Sequence, residues 1–271
     1  MSGKNIKIEK LFRGKKNIVI SALDHVVEYG VQEGIEDARK AIENCMSTDA
    51  LLVPRFMLKR NWDLFAKPDS PTPVVRINWS SSFYYPLNYR EGFTTVCTNV
   101  EEAIEAGAQA IICSLFLEED NNRAMEVKNV EIFSEIVRQK EKLGIPLIGE
   151  CYVVEHNEKT DQQVHDKVKR ISRIMAEMGA DFIKTFFTGD KFHEIIENTP
   201  VPVFTIGAEK LNTDLAVLEK AYNSVEQGAS GIIFGRNIFM ADKPTVITDA
   251  LNDVINGGLS PADAVAKYDL K

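Results

Sequence analysis

Gly179-Ala180-Asp181-Phe182-Ile183-Lys184-Thr185-Phe186-Phe187-Thr188-Gly189-Asp190 holds, in one short run, the signals that decide the fold. A helical pattern stops at Gly179, a short apolar strand follows, and a Thr-Gly-Asp turn opens the next helix. A strand that is apolar throughout and flanked by helices belongs to a parallel sheet covered on both faces. Lys184 stands at the exit of that strand. Two readings fit it: an amine partly desolvated at the mouth of a sheet and so nucleophilic near neutral pH, or a side chain that snorkels into solvent. For a strand-end lysine viewed alone, the second is the commoner case.

Working outward, the same unit recurs along the chain. Apolar runs of strand length lie at 17–23, 50–53, 73–78, 108–115, 146–151, 201–206 and 230–234, which with the opening run makes eight. Helical periodicity occupies 33–44, 55–65, 101–107, 130–143, 161–178, 192–198, 213–227 and 245–255. Eight alternations in 271 residues predict one α/β domain, a (β/α)8 TIM barrel, a fold that typically takes about 250 residues. Residues 1–16 read as a polar extension or short N-terminal helix, and 261–268 as a terminal helix. An open doubly wound sheet is the alternative, but no Gly-x-Gly-x-x-Gly follows the first strand.

Composition narrows the function classes. The apolar share of 44% and charged share of 27% are those of a globular protein with a sizeable core. A formal charge of −8 with no offsetting basic cluster argues against a nucleic-acid surface, so an anionic substrate would need a local positive pocket. No apolar run reaches membrane-spanning length. Cys45, Cys97, Cys113 and Cys151 form no Cys-x-x-Cys pair and no secretory segment opens the sequence, so reduced thiols in a cytoplasmic protein are expected. His25, His156, His165 and His193 lack zinc-ligand spacing, and no metal or cofactor is expected.

In a (β/α)8 barrel the C-terminal strand ends form the active-site face. Asp24 follows the first strand, Asn78 closes the third, Tyr152 follows the fifth and Lys184 closes the sixth; Gly207-Ala208-Glu209-Lys210 and Gly235-Arg236 follow the last two. Singly, each has an ordinary role as cap, rim residue or turn former. Together they place a carboxylate, a phenol and an amine around one opening, and chemistry becomes the better reading. Gly207 and Gly235 let the backbone approach an oxyanion, Arg236 can grip it bidentately, and 237–240 reads as the short extra helix of a barrel phosphate site. Glu209, a like charge in the same loop, must then point away. The loop 79–93, rich in Ser, Tyr and Asn, is long enough to be functional.

The stretches 179–185 with Thr188-Gly189-Asp190, and Gly228-Ala229-Ser230-Gly231 through Gly235-Arg236-Asn237-Ile238-Phe239, resemble the two signature regions of the archaeal-type class I fructose-bisphosphate aldolase family. That family includes the aminodideoxyheptulosonate synthases and the aldolase-like thiolase of autoinducer-2 breakdown. The likeness runs from Asp24-His25 to the C-terminal helix. It implies a Schiff base on Lys184, proton transfers at the carbinolamine assisted by Asp24, and Tyr152 as acid/base at the reacting carbon. It also implies a phosphorylated substrate, with Gly207, Ala208, Gly235, Arg236, His25, Asn78 and Glu150 as the candidate binding set, and a homo-oligomer, commonly a decamer. The chain departs from the family pattern at Val26, at Ala208 in place of a second glycine, at Glu150 where many members carry Trp, and at Val153-Val154-Glu155 in place of Pro-Arg-Gly.

The first functional expectation is therefore a metal-independent class I aldolase cleaving a C–C bond in a phosphorylated sugar or keto compound, such as fructose bisphosphate. Transaldolase-like or thiolase-like chemistry of the relatives is a second. A non-catalytic barrel that binds a sugar phosphate is a third, disfavoured because binding alone needs no amine beside a phenol. Deoxyribose-phosphate aldolase ranks below these, since no second lysine with Gly-Gly neighbours stands at the seventh strand.

Overall fold

In the computed structural model, which describes residues 2–81, 92–117 and 123–271, eight parallel strands close into a barrel. In chain order the strands are β1 (Ile18–Ala22), β2 (Ala50–Pro54), β3 (Thr72–Arg76), β4 (Asn78–Ser80), β5 (Thr94–Val96), β6 (Ala110–Leu115), β7 (Leu147–Cys151), β8 (Phe182–Thr185), β9 (Val203–Ile206) and β10 (Gly231–Phe234). The barrel runs β1-β2-β3-β6-β7-β8-β9-β10 and closes by pairing β10 with β1, while β4 and β5 form a separate antiparallel ribbon. Helices lie between successive barrel strands, among them Arg123–Leu143, Asp161–Glu177 and Asp214–Glu226.

The period-two alternation of each strand divides the apolar residues into two cores. Ile18, Ile20, Leu52, Val74, Ile112, Ile148, Phe182, Phe204 and Ile233 fill the barrel interior. Val19, Leu51, Val75, Ile111, Leu147, Ile183 and Val203 face outward and pack beneath the helices, against residues such as Phe133, Ile171, Met175 and Leu218. Both sets are almost fully buried, which is why the strands read as continuous apolar runs.

Of the two readings of the N-terminal stretch, polar extension or short helix, the helix is found: Ser2–Phe12, whose Leu11 is fully buried and whose Phe12 ring meets Phe182 and Phe204 at 5.9 and 6.1 Å. Lys4 anchors this plug with its Nζ 2.8 Å from Asp181 Oδ1. The third barrel strand ends at Arg76 rather than Asn78, because Asn78 opens the ribbon and pairs with Val96. The helix expected over 33–44 begins at Ala38, since the Asp37 side chain accepts from the backbone N–H groups of Arg39 and Lys40 and caps it there. Of the loop 79–93, residues 82–91 lie outside the described residues. Cys45, Cys113 and Cys151 are buried and Cys97 is exposed, none of them in a disulfide. Among the described residues no helix is long and apolar enough to cross a membrane.

Candidate active site

The interior parity that fills the barrel with Ile148 and Phe182 brings Glu150 and Lys184, two residues further along, to its C-terminal end. Strand register sets them side by side: Ser114 pairs with Glu150 and Glu150 with Lys184 across β6, β7 and β8. Neighbouring strands lie about 4.8 Å apart, so a lysine and a glutamate in register can meet. Lys184 Nζ lies 2.6 Å from Glu150 Oε1, with both side chains under 10% exposed (8% and 5%).

Arg76, at the end of β3, ties the group together. Its Nη1 lies 2.8 Å from Glu150 Oε2 and donates to Ser114 Oγ at 2.6 Å, while its Nε donates to Asp24 Oδ2 at 2.7 Å and lies 3.3 Å from Glu28 Oε1. The Ser114 hydroxyl donates to Glu150 Oε2. Two cations thus face three acids in a space nearly closed to water. Burial works against an ionised Glu150, but Arg76 and Lys184 outweigh it and hold that carboxyl well below the usual range. Glu28 goes the other way: burial, reinforced by Asp24, raises its pKa well above normal. Burial also lowers His25 to about 4, against the pull of Asp24, so its imidazole is neutral at pH 7.

A second group of residues forms the other wall. Gly235 permits no side chain, because a Cβ there would stand 2.3 Å from His25 Cε1 and 3.0 Å from the Ala22 carbonyl oxygen. Ala208 adopts φ +57, a left-handed conformation that glycine takes more readily and that fits the second glycine of the family pattern. Asn237 holds the loop in place: its Nδ2 donates to the carbonyls of Gly207 (3.1 Å) and Glu209 (3.0 Å), and its Oδ1 accepts from Leu211 N at 2.8 Å. Lys220 adds a bond from Nζ to the Gly207 carbonyl at 2.9 Å, and burial lowers its pKa to about 8. Arg236, on the short helix Arg236–Phe239, has a buried Nε with no hydrogen-bond partner among the described residues.

One cavity is lined by Asp24, His25, Glu150, Tyr152, Lys184, Gly207, Ala208, Gly235 and Arg236. Asn78 is absent from it; the side chain is fully buried and spans the Ser114 backbone, accepting from its N–H at 3.0 Å and donating to its carbonyl at 3.3 Å. Glu209 lines the same cavity instead of pointing away. At the far end Val153 and Val154 turn into the apolar core, and the wall is aromatic, with Tyr152 against Phe186 at 5.2 Å and His156 at 5.7 Å. Arg76, Glu28 and Ser114 were not singled out from the sequence. Arg76 had a usable signal, because a lone arginine in an apolar barrel strand must find carboxylates.

Beside this geometry stand the likenesses to known proteins. Residues 18–241 match the DeoC/LacD family aldolase. An uncharacterized aldolase of Saccharolobus solfataricus is 30% identical, with 98% of each chain covered. A 3-hydroxy-5-phosphonooxypentane-2,4-dione thiolase of Klebsiella pneumoniae is 26% identical over 97% of this chain and 84% of its own. Among solved structures, an archaeal fructose-1,6-bisphosphate aldolase with its catalytic lysine covalently bound to the carbinolamine intermediate superposes with a TM-score of 0.79 at 22% identity, covering 93% of this chain and 99% of the other. With a matched segment that spans β1 through the short helix after β10, the chain belongs to the DeoC/LacD aldolase family.

Proposed function

We propose that this protein is a class I, metal-independent aldolase that reversibly cleaves a C–C bond in a phosphorylated ketose or keto compound through a Schiff base on Lys184. The observation that carries the reading is the buried contact of 2.6 Å between Lys184 Nζ and Glu150 Oε1 at the C-terminal end of the barrel. Lys184 attacks the substrate carbonyl as the free amine, and the carbinolamine then loses water to give an iminium. Glu150, the nearest carboxylate, relays two protons in turn: the first passes from the Lys184 ammonium to the carbonyl oxygen as the amine adds, and the second from the carbinolamine nitrogen to the hydroxyl, which leaves as water. Asp24, fixed by Arg76 Nε, assists these transfers. The iminium draws electrons from the breaking C–C bond, and Tyr152 exchanges the proton of the resulting enamine.

The phosphate rests on the Gly207–Ala208 and Gly235 backbone with Arg236, and neutral His25 adds a ring N–H. Transfer of the enamine to a second acceptor is the alternative outcome of the same chemistry, supported by the thiolase relatives. The test is borohydride reduction with dihydroxyacetone phosphate, followed by peptide mass spectrometry. The adduct is expected on Lys184, and Lys184→Ala loses it together with turnover. Full activity in that variant, or turnover lost on chelation, would overturn the mechanism.

A further inference from the structure

We propose that Glu28 is a substrate-binding residue, its carboxyl the contact for a hydroxyl group next to the carbon that Lys184 attacks. This inference rests on the aldolase reading and adds a specificity determinant to it. Glu28 closes the short helix His25–Glu28, is 7% exposed and lines the same cavity as Lys184. Among the described residues its Oε1 has no hydrogen-bond partner, although Arg76 Nε stands 3.3 Å away. That Nε is aimed at Asp24 Oδ2 at 2.7 Å, which leaves the Glu28 oxygen near a charge but unbonded. A buried polar atom without a partner is costly, and one that faces a substrate cavity is satisfied when the substrate arrives.

Arg76 and Lys184 match two carboxylates, and Asp24 and Glu150 hold those positions through contacts of 2.7, 2.8 and 2.6 Å. Glu28 is the third acid, and burial followed by the neighbouring Asp24 raises its pKa well above the usual range, which favours the protonated form. A protonated carboxyl both donates and accepts, so it suits a hydroxyl, which does the same. The charged groups that act on it are Asp24 from the end of β1, Arg76 from β3, Glu150 from β7 and Lys184 from β8, and His25, Glu209 and Arg236 line the same cavity. The contacts Glu28–Arg76–Glu150–Lys184 place it one guanidinium and one carboxylate away from the reacting nitrogen.

The experiment compares two ketones: dihydroxyacetone phosphate and hydroxyacetone phosphate, which lacks the free hydroxyl. Each is titrated against wild type, Glu28→Ala and Glu28→Gln by calorimetry, and the adduct on Lys184 is counted after borohydride reduction. Wild type should prefer dihydroxyacetone phosphate about tenfold, the scale of one buried hydrogen bond. Glu28→Ala should reduce that preference below about twofold, while binding of hydroxyacetone phosphate changes little. Glu28→Gln, which keeps a donor and an acceptor but cannot ionise, should retain the preference and lose any weakening of binding at alkaline pH. An unchanged preference in Glu28→Ala, with the Lys184 adduct still forming, overturns the role of Glu28 alone. Absence of both adduct and binding in wild type overturns the aldolase reading and this inference with it.

Discussion

Replacing Arg76 with methionine tests the electrostatic core of the site. The guanidinium is 2% exposed and contacts Asp24, Glu150 and Glu28 at 2.7, 2.8 and 3.3 Å. Without it, Lys184 alone balances Asp24 and Glu150, and one carboxylate is left without a counter-charge. That carboxylate escapes the penalty by taking up a proton, which bounds the loss. Protonating a glutamate of ordinary pKa, about 4.3, at pH 7 costs about 4 kcal/mol. Direct removal of one partner from a buried ion pair costs a similar amount, about 3–5 kcal/mol. Loss of the bonds to Ser114 and Asp24 adds to this, while methionine recovers part of the apolar packing.

The pH dependence is the sharper part of this prediction. In the folded variant one carboxyl has a raised pKa, so the folded chain binds a proton that the unfolded chain releases above its own pKa. Stability relative to wild type therefore falls as pH rises, by about 1.4 kcal/mol per unit above the unfolded value. Urea unfolding followed by far-UV circular dichroism should show a deficit of about 4 kcal/mol at pH 7 and about 1 kcal/mol at pH 5. A deficit below about 1 kcal/mol at pH 7, or one equal at both pH values, would refute the reasoning.

Other perturbations have separate signatures. Glu150→Gln keeps a hydrogen-bonding group beside Lys184 and Arg76 but cannot carry the proton; kcat should fall about 10²–10⁴-fold with KM within a fewfold, and a rise in KM alone would contradict it. For His25 the folded pKa is depressed from 6.5 to about 4, so the stability it contributes is full above pH 6.5 and is lost as pH falls towards 4. In His25→Gln the stability lost between pH 7.5 and 5 should shrink by about 2 kcal/mol, and identical pH profiles would show that the imidazole is not held neutral. Ala208→Gly removes the left-handed strain at φ +57 but adds freedom to the unfolded chain; the net gain is about 0.5 kcal/mol, or about 1–2 °C in Tm by calorimetry, and a lower Tm would show that the loop needs the stiffer residue.

The parity and position of residues were legible in the sequence, while the contacts between them were not. Lys184, Tyr152 and Asp24 could be placed at the barrel mouth because each follows an apolar run whose end fixes its level. The meeting of Glu150 with Lys184 depends on the register of β7 against β8, and register is set between strands rather than within one. The residues of β7 alone are equally consistent with a rim carboxylate exposed to water, whereas the structure leaves Glu150 only 4% exposed. Asn78 was misplaced for a related reason: Ile77 continues the apolar pattern, but its carbonyl accepts from Cys97 and Thr98 N–H groups and the chain leaves the barrel for the ribbon. The N-terminal plug was hidden because Leu11 and Phe12 follow a run dominated by lysine and polar residues, and average polarity masks two apolar side chains that sit together.

Arg76 also bears on why Glu150 can stand where many relatives of this type carry tryptophan. On the mechanism proposed above, a carboxylate beside Lys184 is useful only if it passes on each proton it receives and returns to the ionised form. With Lys184 as sole partner, a buried Glu150 would keep that proton and become an inert acid. Arg76 Nη1 at 2.8 Å and the Ser114 hydroxyl on the same oxygen hold the charge in place. Once protonated, such a carboxyl is a strong acid and readily passes the proton to a departing hydroxyl. Its protonation from solvent at pH 7 costs more than the ~4 kcal/mol of an ordinary glutamate, and that cost is drawn from a barrier of about 16 kcal/mol, which corresponds to turnover near 10 s⁻¹. The glutamate and the arginine therefore work as one unit, and introducing the glutamate into a relative that lacks the arginine should yield a buried, protonated acid rather than a proton carrier.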